Sequence, residues 1–382
     1  MKVLFVCNNA YTRGNGLCTS VQNTIKKLRE HGVDARLMAI RNPDSAGPQP
    51  DFPLGHFKFP IFEPIIYANG FSYAAIDRRQ IRKAVEWADI VHFEEVFFLQ
   101  EAVMRVARSM GKACTATFHL YPHNITANLG LRKSSMVNDV LIRNWNSLIF
   151  RYCSDIQCPT PEVRKYLETS GVKSRLHVIS NGIQIPAEPL KVQPVEAGEV
   201  IDILCVGRLS REKSQRSLLE AMRHSRNAGR IRLLFAGNGP KARKYRRLAD
   251  QLYKEGVLKI KPEFGFYTHE ELAALARRSY LYVHCAYVEV EGLSCLESMC
   301  EGLVPVIADG ALIGTTEFAR CPESVYPVGD SKALAERIDW WIEHPAERNR
   351  MSQVYADAAR GYDIDKSMEA LIDMYSQALN SR

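Results

Sequence analysis

The sequence predicts an α/β protein of two domains, each built on a parallel β-sheet with helices on both faces. Short apolar runs alternate with longer amphipathic stretches, a proline-rich segment interrupts this alternation near the middle of the chain, and the alternation then restarts. Strands that alternate with helices are typical of parallel sheets. With 382 residues, the chain is long enough for two domains that each bury a core.

The first half of the chain contains apolar runs that are short enough for buried strands, separated by amphipathic segments. Strands are predicted at Val3–Cys7, Ala35–Ile40, Ile90–Phe93, Ala113–Phe118, Asp155–Cys158 and His177–Ile179. Helices are predicted at Thr19–His31, Arg79–Trp87 and Leu99–Met110. The order of these elements favours a parallel sheet.

The segment Pro186–Glu199 has three prolines, charges of both signs and no hydrophobic period, and we interpret it as a linker. After it, strands are predicted at Ile201–Val206, Ile231–Ala236, Ser279–Cys285 and Val304–Ala308, and helices at Gln215–His224, Leu296–Glu301, Asp330–Glu343 and Asp365–Ser381. We therefore predict domains at residues 1–187 and 188–364, and a C-terminal helix at 365–382 that crosses back to the first domain. In two successive Rossmann-like domains, the default ligand site is the cleft between them.

The composition is that of an ordinary globular protein, with 46% hydrophobic and 24% charged residues. No apolar run approaches the roughly 20 residues that span a bilayer. The first apolar run is too short for a signal peptide and is interpreted as a strand. The ten cysteines form no Cys-x-x-Cys pair, which favours reduced thiols in a cytoplasmic protein over a disulfide framework.

The net positive charge of the chain is confined to its first half. Residues 1–190 hold 23 Lys and Arg against 16 Asp and Glu, whereas residues 191–382 hold 27 of each kind. A positive surface attracts anionic partners such as an anionic membrane, although on charge alone a merely soluble surface is the simpler interpretation. No basic-aromatic strand pattern or known motif points to nucleic acid as a partner.

Two glutamates, Glu289 and Glu297, stand eight residues apart across Gly292 at a predicted strand-to-helix turn. Glycosidase carboxylates lie about 5–9.5 Å apart across one bond, whereas eight helical residues span about 12 Å. The spacing therefore favours a long ligand held at two points over hydrolysis. Backbone N–H groups from Gly292 to Cys295 predict an anion site at the helix start, and Glu291 is interpreted as a solvated residue of that start.

Basic residues and glycines follow several of the predicted strands. Arg208 and Lys213 come after the strand Ile201–Val206 and can converge on one anion. Taken alone, both are equally well explained as solvated loop residues. Gly237 and Gly265 stand just past predicted strands, where glycine lets a ligand approach the backbone. A tight turn explains either glycine equally well.

The loop Gly14-Asn15-Gly16-Leu17 lies between the first strand and the first helix. It lacks the Gly-x-Gly-x-x-Gly spacing of dinucleotide-binding loops, and no acidic residue clearly ends the second strand. A nicotinamide-dependent enzyme is therefore disfavoured, whereas close approach of a sugar-phosphate to this loop remains compatible with the sequence.

Taken together, these motifs resemble the retaining glycosyltransferases of the GT-B fold, the large group that includes phosphatidylinositol mannosyltransferases and sucrose synthases. The resemblance covers nearly the whole chain and rests on the ordered set Gly14, Gly16, His119, Asn181-Gly182, Arg208, Lys213, Gly237, Gly239, Gly265, Glu289-x7-Glu297, Gly302 and Pro305. It implies two Rossmann-like domains that face a central cleft, the first binding the acceptor and the second the nucleotide-sugar donor. Within the group, the diacylglycerol and ceramide glycosyltransferases are particularly similar.

The resemblance implies four catalytic residues. Arg208 and Lys213 neutralise the leaving diphosphate of the donor. Glu289 binds the hydroxyls of the donor sugar, and His119 contacts that sugar near the reaction centre.

The same resemblance implies a donor-binding set. Glu297 binds the ribose, the backbone at Phe264 and Gly265 meets the nucleobase, and the N–H groups of Leu293 and Ser294 meet the sugar and phosphate. The complete predicted set is Gly16, Gly237, Phe264, Gly265, Gly292, Leu293, Ser294 and Glu297.

The sequence departs from the pattern of the family at two places. His284-Cys285 stands where Pro-Ser is common before the first glutamate, and little effect is expected from this change. Glu291 stands where an aromatic residue is usual, which would alter the sugar pocket or the donor preference.

The implied reaction needs neutralisation of charge more than a nucleophile, because the sugar becomes oxocarbenium-like as the diphosphate departs. The acceptor hydroxyl then attacks from the same face and the departing phosphate oxygen takes its proton. Neither a metal nor a cofactor is expected. Asp363-Ile364-Asp365 matches a metal motif of another glycosyltransferase fold, but its place before the last helix favours a helix cap.

Two segments of the first half, Pro53–Tyr73 and Asn128–Tyr152, carry the apolar, aromatic and basic residues that suit a membrane surface. Packing in the core is the alternative for both. The expected function is transfer of a hexose from a UDP-sugar to a membrane lipid of the diacylglycerol or ceramide type, by a cytoplasmic enzyme on the inner face of the membrane. A soluble or polysaccharide acceptor is the alternative.

Two functions of other classes remain as alternatives, a sugar-nucleotide epimerase and a non-catalytic partner subunit. An epimerase requires acid and base carboxylates around a single sugar, and the sequence shows no such group. A partner subunit has no need of the intact set Arg208, Lys213, Glu289 and Glu297.

Overall fold

A computed structural model describes residues 1–12, 14–59, 72–128, 134–187 and 200–381. The chain divides into two compact units. The first unit comprises Met1–Asn181 and Ile364–Arg382, and the second comprises Gly182–Asp363. Each unit contains its own parallel sheet, as predicted.

The first unit is built on a seven-stranded sheet with the strand order β3-β2-β1-β6-β7-β8-β9. All neighbouring strands are parallel, and Val3 of β1 pairs with Ala35 of β2 and with Ile90 of β6. The strands are β1 Lys2–Val6, β2 Asp34–Ile40, β3 Phe52–Leu54, β6 Ile90–Phe93, β7 Ala113–Thr117, β8 Asp155–Cys158 and β9 Arg175–Val178. A small antiparallel pair joins β4 His56–Phe57 to β5 Tyr73–Ala74.

Helices cover this sheet because each turns an apolar stripe towards the strands. They span Gly16–Glu30, Arg78–Trp87, Phe98–Ser109, Pro122–Asn128, Ser135–Leu148, Pro161–Thr169 and Ile364–Asn380. The C-terminal helix packs Met368, Leu371 and Tyr375 into the same apolar core as Val3 and Phe5 of β1. The last residues of the chain are therefore part of the first unit.

The second unit is built on a six-stranded sheet with the order β12-β11-β10-β13-β14-β15, again parallel throughout. The strands are β10 Ile201–Val206, β11 Ile231–Ala236, β12 Glu263–Gly265, β13 Leu281–His284, β14 Val304–Asp309 and β15 Val325–Pro327. The helices span Gln215–Ala221, Ala242–Lys254, His269–Arg278, Leu293–Cys300, Ser331–Glu343 and Pro345–Ala359.

In each sheet the strands run in one direction, so each sheet has an end where strands begin and an end where they finish. We call these the amino edge and the carboxyl edge. In open parallel sheets, ligands bind at the carboxyl edge. The predicted residues His119, Arg208, Lys213 and Gly237 all follow strands at this edge of their own unit.

Two helices begin three residues earlier than the hydrophobic pattern predicts, because their caps decide where they start. The first helix begins at Gly16 rather than at Thr19, since the Asn15 side chain accepts the N–H of Leu17. The helix predicted at Leu296–Glu301 begins at Leu293, directly after Gly292.

The segments predicted for membrane contact are described in part. Residues 60–71, 129–133 and 188–199 lie outside the described residues. These ranges include parts of the predicted loop Pro53–Tyr73 and of the predicted linker. The helix Ser135–Leu148 buries Ile142 and Trp145 but leaves Met136 73% and Val140 58% exposed. Among the helices that the structure describes, none is long and apolar enough to span a bilayer.

Candidate active site

Lys213, His284 and Glu289 meet at the carboxyl edge of the second sheet. The Lys213 ammonium forms an ion pair with Oε2 of Glu289, and Nε2 of His284 donates to the same oxygen over 3.1 Å. Burial acts to raise the pKa of Glu289, but the Lys213 ammonium and the His284 imidazole together lower this pKa to about 2. Glu289 is therefore ionised at neutral pH.

The backbone of Glu289 is held as firmly as its side chain. Its N–H donates to the carbonyl of Leu312 over 2.8 Å, and its carbonyl accepts the N–H of Gly314 over 2.8 Å. These bonds form a parallel bridge with Ile313. The position of the carboxylate is thus set by the segment that follows β14.

Arg208 lies in the loop after β10 and is held by Glu212. Nη2 of Arg208 donates to Oε1 of Glu212 over 2.5 Å, and the Glu212 side chain is only 1% exposed. Gln215 donates to the Arg208 carbonyl over 3.0 Å. Both predicted cations of this loop are therefore paired with carboxylates that orient them.

Gly237 allows the ends of neighbouring strands to approach each other. Its φ angle is 150°, and a Cβ atom there would lie 2.2 Å from the carbonyl oxygen of Gly207. Its N–H donates to the carbonyl of Gly265 over 2.8 Å. Beside them, the ring of Phe264 stacks on Phe235 with 4.8 Å between centroids. The structure thus brings the predicted residues Gly237, Phe264 and Gly265 together.

Gly292 precedes the helix Leu293–Cys300 with a φ of 90°. A Cβ atom there would lie 2.4 Å from Oγ1 of Thr315, so only glycine fits. The N–H groups of Leu293 and Ser294 belong to the first turn, where backbone N–H groups have no partner within a helix. The Ser294 hydroxyl is hydrogen-bonded to the Tyr282 hydroxyl over 2.9 Å.

Glu297 lies one turn further along this helix and lines a pocket of the second unit. His269, Leu272, Val206 and Ser294 line the same pocket. Nδ1 of His269 lies 3.9 Å from Oε1 of Glu297, whose side chain is 36% exposed. Glu297 is therefore accessible to a ligand in this pocket.

The prediction that Glu291 is solvated is wrong, because the residue is only 2% exposed. Its carbonyl accepts a hydrogen bond from Oγ1 of Thr315 over 2.8 Å. The same threonine restricts Gly292, so the chain before the helix folds inwards instead of lying in solvent.

His119 belongs to the first unit, two residues after β7. Its Nε2 lies 2.6 Å from Oε2 of Glu94, which directly follows β6. The two side chains are 8% and 3% exposed. Burial acts to raise the pKa of Glu94, but the His119 imidazole holds it below its ordinary value.

Gly16 is the first residue of its helix, and a Cβ atom there would have no neighbour within 4 Å. Packing therefore does not require glycine at this position.

Near the other end of the chain, Asp365 of the Asp-x-Asp sequence forms ion pairs with Lys27 at 3.0 Å and with His31 at 3.1 Å. The Asp365 carboxylate is therefore paired with two basic side chains of the first unit.

Sequence reasoning did not identify Glu94, Glu212 or His284 as part of the site. Glu212 lies between Arg208 and Lys213, and an acidic residue between two site cations was the available signal. His284 was expected to have little effect, yet it hydrogen-bonds Glu289. For Glu94 the signal was an acidic residue directly after a buried strand.

Comparison with known protein families places two family models on the chain. Residues 187–356 match Glycosyl transferases group 1, and residues 14–185 match Glycosyltransferase Family 4. A search of curated proteins found no match.

Solved structures of similar fold extend over the whole chain. Alr3699/HepE from Anabaena, in complex with UDP-glucose, is 16% identical with a TM-score of 0.74 and covers 99% of this chain and 100% of its own. The sucrose-phosphate synthase from Thermosynechococcus elongatus is 16% identical with a TM-score of 0.72, and both chains are covered completely. The catalytic domain of a cholesterol-alpha-glucosyltransferase from Helicobacter pylori is 40% identical over 42% of this chain and 98% of its own, with a TM-score of 0.40. The whole-chain likenesses match the predicted GT-B fold.

Proposed function

Because the chain is a GT-B glycosyltransferase with a family 4 domain followed by a group 1 domain, we propose that it transfers a hexose from a UDP-sugar to an acceptor hydroxyl with retention of configuration. The observation that carries this proposal is the cluster of Lys213, His284 and Glu289 at the carboxyl edge of the second sheet. It combines a cation for a phosphate with an ionised carboxylate for sugar hydroxyls.

The low pKa of Glu289 favours a binding role over proton abstraction. A general base works best when its pKa lies near the working pH, and the pKa of Glu289 is about 2. An ionised carboxylate instead accepts hydrogen bonds from hydroxyl groups. This supports a reaction in which the leaving phosphate oxygen, rather than a protein carboxylate, takes the proton of the acceptor.

The leaving diphosphate requires compensation of its negative charge. Arg208 and Lys213 supply two cations, and the start of the helix Leu293–Cys300 supplies backbone N–H groups. In the proposed reaction these groups neutralise the diphosphate without a metal ion. The complex of Alr3699/HepE with UDP-glucose supports a UDP-sugar as the donor.

For the acceptor, we propose a membrane lipid of the diacylglycerol or ceramide type, used at the cytoplasmic face of a membrane. Exposed apolar residues of the first unit support this choice. Met136 and Val140 lie one turn apart on one helix, and Phe57 and Phe98 are 49% and 64% exposed. A soluble or polysaccharide acceptor is the alternative.

The test is a panel of UDP- and GDP-hexoses with the purified full-length protein. Each donor is assayed without vesicles, with anionic vesicles, and with anionic vesicles that contain diacylglycerol or ceramide. Nucleotide release and product mass are measured, and NMR of the product gives the anomeric configuration.

We expect release from one UDP-hexose that depends on the lipid acceptor, with the α-linkage of the donor kept in the product. Release that is indifferent to lipid would move the acceptor to the soluble or polysaccharide class. An inverted product would overturn the retaining mechanism. No turnover with any donor would favour a non-catalytic partner subunit.

A further inference from the structure

A buried chain of polar groups crosses three neighbouring strands of the first sheet, β8, β7 and β6, and ends at His119. Gln157 of β8 donates to the carbonyl of Ile179 over 3.0 Å and accepts the hydroxyl of Thr117 over 2.7 Å. Thr117 and Thr115 of β7 lie 2.8 Å and 2.9 Å from Nε2 and Nδ1 of His92.

The directions of these hydrogen bonds determine which nitrogen of His92 carries the proton. Because the Thr117 hydroxyl donates to Gln157, its oxygen must accept from His92, so Nε2 of His92 is protonated. Burial lowers the pKa of His92 to about 4, which keeps the ring neutral at neutral pH. Nδ1 therefore accepts the hydroxyl of Thr115.

Glu94 lies between this neutral ring and His119. Its Oε1 is 3.6 Å from the protonated Nε2 of His92, and its Oε2 is 2.6 Å from Nε2 of His119. Since an ionised carboxylate can only accept hydrogen bonds, Nε2 of His119 carries a proton. Among the residues that the structure describes, none is hydrogen-bonded to Nδ1 of His119.

We propose that Glu94 is the positioning residue of His119, holding the ring by Nε2 so that Nδ1 faces the substrate. The backbone supports the same orientation, because the N–H of the preceding residue, Phe118, donates to the carbonyl of Gln157 over 3.0 Å. A histidine whose second nitrogen is held by a carboxylate keeps one tautomer and one ring orientation. The inference rests on the proposed glycosyl transfer and on a role for His119 in it.

A double-mutant cycle tests whether Glu94 acts through His119. The variants are Glu94→Gln, His119→Ala and the double variant of the full-length protein, assayed with the donor and acceptor that the panel identifies. Because misplacement of a reacting contact costs up to about 100-fold, we expect Glu94→Gln to lower kcat about 10- to 100-fold while the donor KM changes less than about threefold. In the His119→Ala background, we expect the same replacement to lower kcat less than about twofold.

Asp155→Asn is the matched control. Asp155 is also a buried carboxylate that holds a histidine, His177, at 2.8 Å, but it lies at the amino edge of the same sheet. We expect this variant to lower the melting temperature and to leave kcat unchanged.

The outcomes separate this inference from the proposed function. If the losses of kcat in Glu94→Gln and His119→Ala multiply in the double variant, the inference is overturned but the proposed glycosyl transfer stands. Loss of activity in Asp155→Asn equal to that in Glu94→Gln would also overturn it. If the wild-type protein transfers no sugar, ¹⁵N NMR of labelled histidine still tests the inference. A His119 ring without a proton on Nε2 would contradict the hydrogen bond from this nitrogen to Glu94.

Discussion

The two edges of each sheet hold their carboxylates in different ways. At the amino edge of the first sheet, Arg175 donates to both oxygens of Asp155 over 2.8 Å each. At the carboxyl edge, Glu94 is held by the single nitrogen of His119 at 2.6 Å, while His92 stays 3.6 Å away. An arginine fork engages both oxygens of a carboxylate, whereas one histidine nitrogen engages a single oxygen.

The second sheet repeats this difference. At its amino edge, Arg232 donates to the two oxygens of Asp202 over 2.6 Å and 2.7 Å. At its carboxyl edge, Lys213 and His284 both contact Oε2 of Glu289. Bidentate arginine pairs give rigid, closed contacts, while lysine and histidine leave the second carboxylate oxygen able to accept from a ligand. The comparison predicts that the sheet edge at which a carboxylate lies, rather than its burial, separates functional from structural carboxylates.

The largest effect is expected from Lys213→Ala. In the proposed reaction Lys213 neutralises the leaving diphosphate, so its removal should lower kcat/KM about 100- to 1000-fold, the usual cost of losing one group that stabilises developing charge. Steady-state kinetics with the identified donor measure this loss, and a circular dichroism melt checks the fold. Full activity in this variant would break the comparison.

Arg232→Ala is the control for that variant. It also removes the cation of a carboxylate pair, but at the amino edge of the same sheet. We expect a lower melting temperature and an unchanged kcat/KM. A comparable loss of activity from both variants would mean that the edge does not matter.

A smaller effect is expected from Glu289→Gln, which keeps the size of the side chain but removes its charge. Turnover should fall roughly 10- to 100-fold, because the proposed charge-assisted contact of Glu289 to the donor sugar would be weakened. Calorimetric affinity for UDP should change less than about threefold, since the proposal assigns the nucleotide to other residues. Loss of UDP affinity in proportion to turnover would assign Glu289 to the nucleotide instead.

Gly237→Ala tests the backbone at the carboxyl edge. A Cβ atom there would collide with the Gly207 carbonyl, so we expect a loss of about 1–3 kcal/mol in the free energy of unfolding and weaker donor binding. Gly256→Ala is the control, because Gly256 also has a positive φ, 74°, but a Cβ atom there has no neighbour within 4 Å. Denaturant unfolding of both variants should show the larger loss for Gly237→Ala.

The smallest effect concerns acid pH. The pKa of Glu289 is about 2 in the folded protein, below its ordinary value of 4.5. Its contribution to stability is therefore fully present above the ordinary value and is lost as the pH falls towards 2. Unfolding of the wild type and of Glu289→Gln should differ by a constant amount from pH 7 to 5 and by less at pH 3. A difference that grows on acidification would contradict the ion pair.

Much of the fold was predictable because buried parallel strands are continuous apolar runs. The strands Ile201–Val206 and Ile231–Ala236 have the predicted bounds. The short edge strands β3 and β15, with three residues each, were not predicted as strands. A strand of this length acquires its conformation from pairing with a neighbour, and the sequence pattern alone does not reveal it.

The candidate site can be divided in the same way, into what the sequence predicted and what only the structure showed. The sequence by itself determined which residue types follow the strands, and so it identified Arg208, Lys213 and Glu289 as candidates, because glycines and charges after apolar runs are visible without a structure. Only the tertiary structure decided the pairs, since crossover connections bring residues such as Glu94 and His119, 25 positions apart, to one edge. The physical reason is that side-chain hydrogen bonds act over about 3 Å, a distance that depends on strand order and not on sequence separation.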